Sequence, residues 1–567
     1  MTTGLISIAS DVFNPIRLIG PIFDKELRVS SRRRRNYLLR VAYIALLSVY
    51  ILLAWYSTFG IRSSGSAVYK ISRLSEVGKA VITAVIWFQF VAAQLIAVVM
   101  LSSSISDEVR SGTLGVLMTT PISSFQIVTG KLLGKLLQLM LLLATGLPLL
   151  AIIRVFGGVP WDYVISSVCI TLTAAVLAGA LSLLLSMVYR RAHNVIILII
   201  VVYLILFAAL PGIFIWVAAE GSLSRQVTSS IIALTNPFWA LMTSTRAMLL
   251  PQGGTAKFLL WPVHCLIMLA VTTFLITISV WRARRAALHE ALGRPTKLWF
   301  RRALKLKGSR SVENAHSRAE AGSIKPVTGS PIVWKEMRKG FIGGKKLGVR
   351  TSALLIGLSV PVAISPLFVP RGFIFFPNLL VLGLYLIVMI RMAVFSAGGI
   401  TQEKETRTWP ILLATPLEDK EIVRGKAIAA FRRNLPLLLL YFALSCIFFI
   451  TVRPGRNMLS QTLGMLVMAV SGLVCSVLFV IGSGLYFGMR YRTTTAAVAA
   501  TVGSYLMVKF FFGTVLRLFS SLFFGMALGS RTIWMYYATS VIYSFILGGV
   551  GVSLGRRAVW RVRRDIF

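Results

Sequence analysis

The sequence predicts an all-α polytopic membrane protein with about twelve transmembrane helices. They form two parallel-oriented six-helix repeats, each preceded by an amphipathic elbow helix. Three observations lead there. The chain is 56% hydrophobic and only 14% charged, with a mean hydropathy of +0.80, whereas a soluble domain carries about 25% charged residues. Apolar runs of about 20 residues, enough to cross a hydrocarbon core of about 30 Å, recur along its 567 residues. A 24-residue polar motif occurs twice at a fixed separation. A soluble enzyme is excluded. The 60 Lys and Arg against 18 Asp and Glu, net +42, fall between the apolar runs, so the basic excess points to lipid surfaces and not to nucleic acid.

In chain order the expected spans lie near 41–58, 80–101, 132–153, 163–188, 195–219 and 259–281, then 349–369, 374–397, 434–452, 461–489, 494–513 and 533–554. Closed barrels would show alternating segments of about ten residues, but runs such as 195–202 are apolar on every side and read as helices. Asp11, Asn14 and Pro15 interrupt the N-terminal stretch, so no cleavable leader is expected. With both termini in the cytoplasm, cytoplasmic segments hold 42 Lys and Arg and outer loops 12, with six in or beside spans, a strong positive-inside bias. The expected location is a bacterial cytoplasmic (inner) membrane. Cys169, Cys265, Cys446 and Cys475 all fall in spans and read as packing residues; no metal-spaced or catalytic cluster stands out.

The repeat is carried by 108–131 and 403–426. At an offset of 295, Glu108/Glu403, Thr113/Thr408, Leu117/Leu412, Thr120/Thr415, Pro121/Pro416, Ile127/Ile422, Val128/Val423, Gly130/Gly425 and Lys131/Lys426 are identical, 9 of 24 positions without a gap. A second match precedes each first span: Pro21-Ile22 with Lys25-Glu26 and Arg28 aligns with Pro331-Ile332 with Lys335-Glu336 and Arg338. Both stretches suit an amphipathic helix lying in the inner interface. Six spans per half give both halves one orientation, related by an axis along the membrane normal. The halves are 1–295 and 329–567, joined by a basic linker at 296–328.

Within the motif, Leu114–Met118 can form a short helix or turn that Thr120-Pro121 ends. Ser123-Ser124 can cap the next helix, which Phe125-Gln126-Ile127-Val128 leads into span 3. Glu108 and Arg110 sit on the shoulder of this apolar elbow. One copy would read equally well as a capped hairpin joining two spans. Two copies on one side of both halves point to a shared task, such as docking a two-fold partner.

The run from Glu108 through Gly112-Thr113-Leu114, Leu117 and Thr120-Pro121-Ile122-Ser123 to Ile127-Val128 and Gly130-Lys131 resembles the signature of ABC-2 (type-2 ABC exporter) permeases. Lys25-Glu26-Leu27-Arg28 resembles that family's elbow helix. The resemblance covers both halves and is most specific over 108–131. It implies a coupling helix between spans 2 and 3, and again between spans 8 and 9, docked on a cytoplasmic ABC ATPase dimer in which ATP and Mg reside. It assigns coupling to Glu108, Arg110, Thr113, Leu117, Thr120 and Pro121, and to Glu403, Arg407, Thr408, Leu412, Thr415 and Pro416. The elbow residues are Lys25, Glu26 and Arg28, with Lys335, Glu336 and Arg338. The second copy departs from the pattern: Arg407 stands for the glycine, Trp409-Pro410 for Leu-Gly, and Glu418-Asp419-Lys420 for Ser-Ser-Phe. Efflux is the direction the resemblance implies.

No phosphate-binding G-x-x-x-x-G-K-[ST] run occurs, so ATP hydrolysis is expected in a separate subunit and the chain itself is expected to be no enzyme and to hold no cofactor. A gradient-driven secondary transporter is the rival, but no Asp or Glu lies in an expected span: 15 are cytoplasmic and 3 external. A non-transporting membrane scaffold worked by an ATPase also fits. Arg391, two turns inside span 8, either snorkels or lines a pathway for an unknown substrate. Lys509 is expected to snorkel outward, and His264 to lie in the interface. Segment 220–258, with Asn236-Pro237, is long enough to re-enter the outer leaflet. The linker and the Arg32–Arg35 run suit anionic headgroups on the cytoplasmic side.

Overall fold

The computed structural model describes residues 21–28, single positions within 37–52, then 67–102, 104–105, 108, 120, 122–148, 150–151, 159–189, 192–212, 214–215, 225–249, 260–291, 329–338, 375–452, 458–512 and 532–563. Every regular element among them is helical. The first half contributes α1 (21–28), α2 (Ala67–Ser102), α3 (Ser124–Ala144), α4 (Trp161–Ser186), α5 (Ala192–Leu204), α6 (Arg225–Thr235), α7 (Pro237–Leu249) and α8 (Leu260–Ala291). The second contributes α9 (Pro331–Arg338), α10 (Phe375–Glu405), α11 (Trp409–Leu413), α12 (Asp419–Val452), α13 (Met458–Arg490), α14 (Thr494–Leu506) and α15 (Thr532–Arg561).

Among the described residues, nine helices are long and apolar enough to cross a membrane, and they fall on expected spans 2–6, 8–10 and 12. Span 11 is represented by the shorter apolar helix Ala496–Lys509. Span 1 is described only at single positions, and span 7 (349–369) lies outside the described residues.

Spans 3 and 9 begin earlier than the apolar runs do, at Ser124 and Asp419. The reason is capping. Ser123 accepts from the Gln126 amide at 3.2 Å while the Gln126 side chain accepts from the Ser123 amide at 3.1 Å, satisfying two of the amides a helix start leaves open. The second copy keeps half of this box: the Glu421 carboxylate accepts from the Glu418 amide at 3.4 Å. Asp419 and Glu421 also place negative charge in the first turn, where the helix dipole favours it. α3 stops at Ala144, short of the expected 153, because the ring of Pro148 excludes the carbonyl four residues before it.

Helices without a hydrophobic drive between them must gain from close packing, and glycines supply it here. A Cβ on Gly482 of α13 would lie 1.9 Å from the Gly551 carbonyl of α15, and one on Gly551 would lie 2.4 Å from the Phe479 Cα. On another face of α13, a Cβ on Gly484 would meet the Ser396 hydroxyl of α10 at 1.9 Å. α13 is thus pressed against α10 and α15 at backbone distance.

The two halves meet through α5. Ile197 packs with Ile390, Val394 and Ala397 of α10 and with Ala497 and Val498 of α14, while Leu204, Ala208 and Ala209 pack on Ile387. α5 and α14 are each 13 residues long, and each passes into a π turn, Ile205–Ala209 and Met507–Phe512. A π turn holds one residue more than an α turn and turns its carbonyls aside. In both turns a side chain reaches one. The Asn236 amide donates to the Phe207 carbonyl at 2.7 Å, and the Tyr543 hydroxyl donates to that of Val508. Asn236 also caps α7, its Oδ1 accepting from the Phe238 amide at 3.0 Å and the Trp239 amide at 3.3 Å. Within the 220–258 segment the described residues 225–249 fold as a helix pair, α6 and α7, with Trp239 and Leu241 in the core.

Replacing Gly551 by Val should separate α13 from α15 and cost about 3 kcal/mol. Gly549, beside which nothing lies within 4 Å, is the control: in detergent, thermal melting should fall for Gly551→Val and stay near wild type for Gly549→Val.

Candidate functional site

The motif residues gather at one end of the bundle, and the second copy is described throughout. α10 ends there in a paired C-terminal turn: the Arg407 amide donates to the Lys404 carbonyl at 3.2 Å and the Thr408 amide to that of Glu403 at 2.9 Å. Such a turn needs a left-handed residue. Arg407 supplies it at φ 57°, where the first copy has Gly112. The chain then enters α11, with Pro410 in its first turn. Its residues, 409–413, lie 295 beyond 114–118, where the short helix was expected; 114–118 themselves lie outside the described residues.

α11 has two faces. Trp409 is 1% exposed and fills a core of Ile332, Ile400, Ile422, Val423, Leu485, Met489, Ala558 and Val562. On the other face Ile411 is 68% exposed. Leu412 and Thr415 are half-buried, and Arg407, Thr408 and Pro416 are exposed. The short helix is a knob with an indole anchor.

Beneath it lies a buried charge cluster. The Lys426 ammonium, 2% exposed, pairs with Glu403 at 3.0 Å and Glu336 at 3.4 Å and donates to the Gly399 carbonyl at 2.7 Å. Lys335 pairs with the other Glu403 oxygen at 3.0 Å. Two lysines and two glutamates, drawn from α9, α10 and α12, thus neutralise one another. The first half repeats the centre of this arrangement. Lys131 pairs with Glu108 at 2.5 Å and donates to the Ser104 carbonyl at 2.6 Å; all three partners sit 295 residues before Lys426, Glu403 and Gly399. Glu26 of α1 pairs instead with Lys135, at 2.8 Å.

Glycine lets the short helices approach. A Cβ on Gly134 would lie 3.0 Å from the Glu26 Cβ, and one on Gly425 3.0 Å from the Ile332 Cβ. The Arg433 guanidinium also donates to the Glu336 carbonyl at 3.2 Å while lying 4.3 Å over the Phe395 ring.

Of the sequence-predicted residues, Glu108 and Glu403 are therefore internal ion-pair partners and not an outward shoulder. Lys25 is exposed, Arg28 pairs with Asp24 at 2.8 Å, and Thr120 is exposed. Arg110, Thr113, Leu117 and Pro121 lie outside the described residues, as does the Arg338 side chain. Sequence reasoning did not single out Lys131 and Lys426 as site residues, although their identity at offset 295 was the signal. It also missed Glu405, whose carboxylate accepts from the Thr494 amide at 2.8 Å and ties α10 to the start of α14.

Three further expectations have an answer. Arg391 is 7% exposed within the bundle, so it does not snorkel. Lys509 does not point outward either: its ammonium lies 6.0 Å over the Tyr385 ring. His264 is not interfacial but fully buried, its Nδ1 2.9 Å from the Leu234 carbonyl at the end of α6.

Against this geometry the model of the ABC-2 family transporter proteins matches residues 21–288 and again 306–547. The chain belongs to the ABC-2 family. No curated protein matches it. An ABC-2 chain with two matched regions and many apolar helices is a multi-pass membrane permease of an ABC transporter, and the family implies an ATPase partner in general.

Breaking a buried pair strands a charge, at a cost of about 3–5 kcal/mol, whereas removing both partners does not. Glu403→Gln should therefore lower the melting temperature strongly, and combining it with Lys426→Met should recover part of the loss, read with both single variants as a double-mutant cycle in detergent. Arg407→Gly should raise stability by about 1 kcal/mol, since glycine takes positive φ without strain.

Proposed function

We infer that the chain supplies both transmembrane halves of an ATP-driven exporter, with α11 and its counterpart at 114–118 as the elements that seat on a cytoplasmic ATPase dimer. One observation carries this reading: an exposed isoleucine on a short helix whose opposite face is bolted to the bundle. A push on Ile411 is delivered by Trp409 to Leu485 and Met489 of α13, to Ala558 of α15 and to Val562 just after it. Through Glu403 it reaches Lys426 of α12, and through Glu405 it reaches α14. The partner binds ATP and Mg and hydrolyses ATP; this chain contributes mechanical linkage and no catalytic residue. The halves then rock across the α5, α10 and α14 contact and open a path outward. Arg391, buried beside that contact, is positioned to meet an anionic part of the substrate. The charge distribution along the sequence supports both termini in the cytoplasm, and the membrane of this reading is a bacterial inner membrane.

α1 and α9 act as the elbow helices. Each lies along the start of the helix that follows its motif and is held there by an ion pair. The second docking knob is more highly charged than the first, with Glu418 and Lys420 exposed where Ser123 and the half-exposed Phe125 stand, so the two ATPase grooves differ or tolerate both.

Co-purification tests the reading. A C-terminal tag should bring down an ATPase after gentle solubilisation. Ile411→Asp should reduce the amount recovered about tenfold, as expected when an apolar anchor is replaced by a charge, with the permease's own melting unchanged. No ATPase under any mild condition, or recovery indifferent to Ile411→Asp, would overturn docking at α11.

A further inference from the structure

The two halves differ at matching depth inside the bundle. In the first half an apolar aromatic cluster fills the space between α2, α5 and α7: Phe90 and Phe238 rings meet edge-on at 5.0 Å, Tyr203 and Phe207 at 5.0 Å, and Phe207 and Phe238 at 6.2 Å. In the second half the residue 295 beyond Phe90 is Tyr385. The π turns correspond at an offset of 302, which pairs Tyr203 with Tyr505 and Phe207 with Lys509. Two phenylalanines of the first cluster are thus replaced by a tyrosine and a lysine.

These polar groups converge. The Tyr385 hydroxyl donates to the Ser476 hydroxyl at 3.0 Å and is hydrogen-bonded to the Tyr505 hydroxyl. The Tyr441 ring lies 5.2 Å from that of Tyr385. Lys509 enters from the π turn, its ammonium over the Tyr385 ring and facing α13, where a Cβ on Gly472 would be 4.0 Å away. The wider turn aims residue 509 into the bundle, which is what π turns at functional positions do. Three hydroxyls and one ammonium in a low-dielectric setting form charge-assisted hydrogen bonds to an oxyanion. The sequence brings no Asp or Glu to any expected span.

We propose that Lys509, Tyr385, Tyr505 and Ser476 form a binding site for the single oxyanion head of an amphiphile, a carboxylate or phosphate on an acyl chain, at a depth the first half leaves apolar. Lys509 lies 15 residues from the start of α14, about 20 Å along it. On the orientation proposed above this is the outer half of the bilayer, where an acyl chain places such a head and a soluble anion has no apolar anchor. The depth in the bilayer rests on the orientation in the exporter reading; the site itself does not.

The test needs no ATPase, so its failure leaves the exporter reading standing, and failure to find an ATPase leaves the site standing. The full chain, in nanodiscs of phosphatidylcholine, is titrated with dansyl-undecanoic acid and with the corresponding alcohol, following energy transfer from tryptophan. The acid should bind about tenfold more tightly than the alcohol, the difference a charge-assisted hydrogen bond makes. Lys509→Met and Tyr505→Phe should each erase that preference, and Lys509→Arg should keep it. Equal binding of acid and alcohol to the wild type overturns the site, as does a preference that survives Lys509→Met. Displacement of the acid by millimolar inorganic phosphate would also overturn it, showing a soluble-anion site in place of an amphiphile site.

Discussion

Everything at the motif end of this permease hangs on a lysine held out of water by a glutamate. Lys426 is almost wholly enclosed, and a buried ammonium is tolerable only where opposite charge and acceptors surround it. Meeting that requirement fixes where α9, α10 and α12 can stand. Glu403 must turn inward at the last turn of α10, Glu336 must face it from the short helix, and Gly425 must leave room for that helix to lie close. Lys131 imposes the same requirement on α2 and α3. The pair adds modest stability compared with an apolar replacement of equal shape; what it contributes is geometry, because few arrangements satisfy it.

From that fixed point the rest of the second half follows. The paired turn after Glu403 sends the chain into α11, Trp409 docks on the core shared by α13 and α15, and glycine contacts press those two helices together. The bundle is closely packed at the motif end. It is less regular at the opposite side of the crossing, where α5 and α14 loosen into π turns and Asn236 and Tyr543 take up their carbonyls. A closely packed input and an irregular interior form the division of labour a permease requires.

Much of this was legible in the sequence. Nine expected spans appear as long helices, since apolar runs of that length have no other stable form in a bilayer. The cap at Ser123 was readable from Ser-Ser-Phe-Gln, while the short helix expected at 114–118 lies outside the described residues and only its repeat counterpart at 409–413 is described. The ion pairs of the motif were not legible. Glu108 and Glu403 each pair with a lysine 23 residues away, and Glu403 also with Lys335 of a separate amphipathic helix, and pairing over such separations leaves no local pattern. Lys509 and His264 were read as interfacial from their positions near span ends. Neither the π turn that redirects residue 509 nor the α6 carbonyl that holds His264 has a sequence signature.

The 23-residue separation of Glu403 from Lys426 also bears on how the chain is made. During membrane insertion, span 8 must be threaded before span 9 emerges, so Glu403 waits without Lys426 until the second arm of the hairpin arrives. Closure of the pair then marks a finished hairpin. Glu336, made long before either, can join Lys426 only once that hairpin exists, whereas Lys335 can meet Glu403 as soon as span 8 is made. The latch is therefore complete only when the helical hairpin and its flanking elbow are both in place.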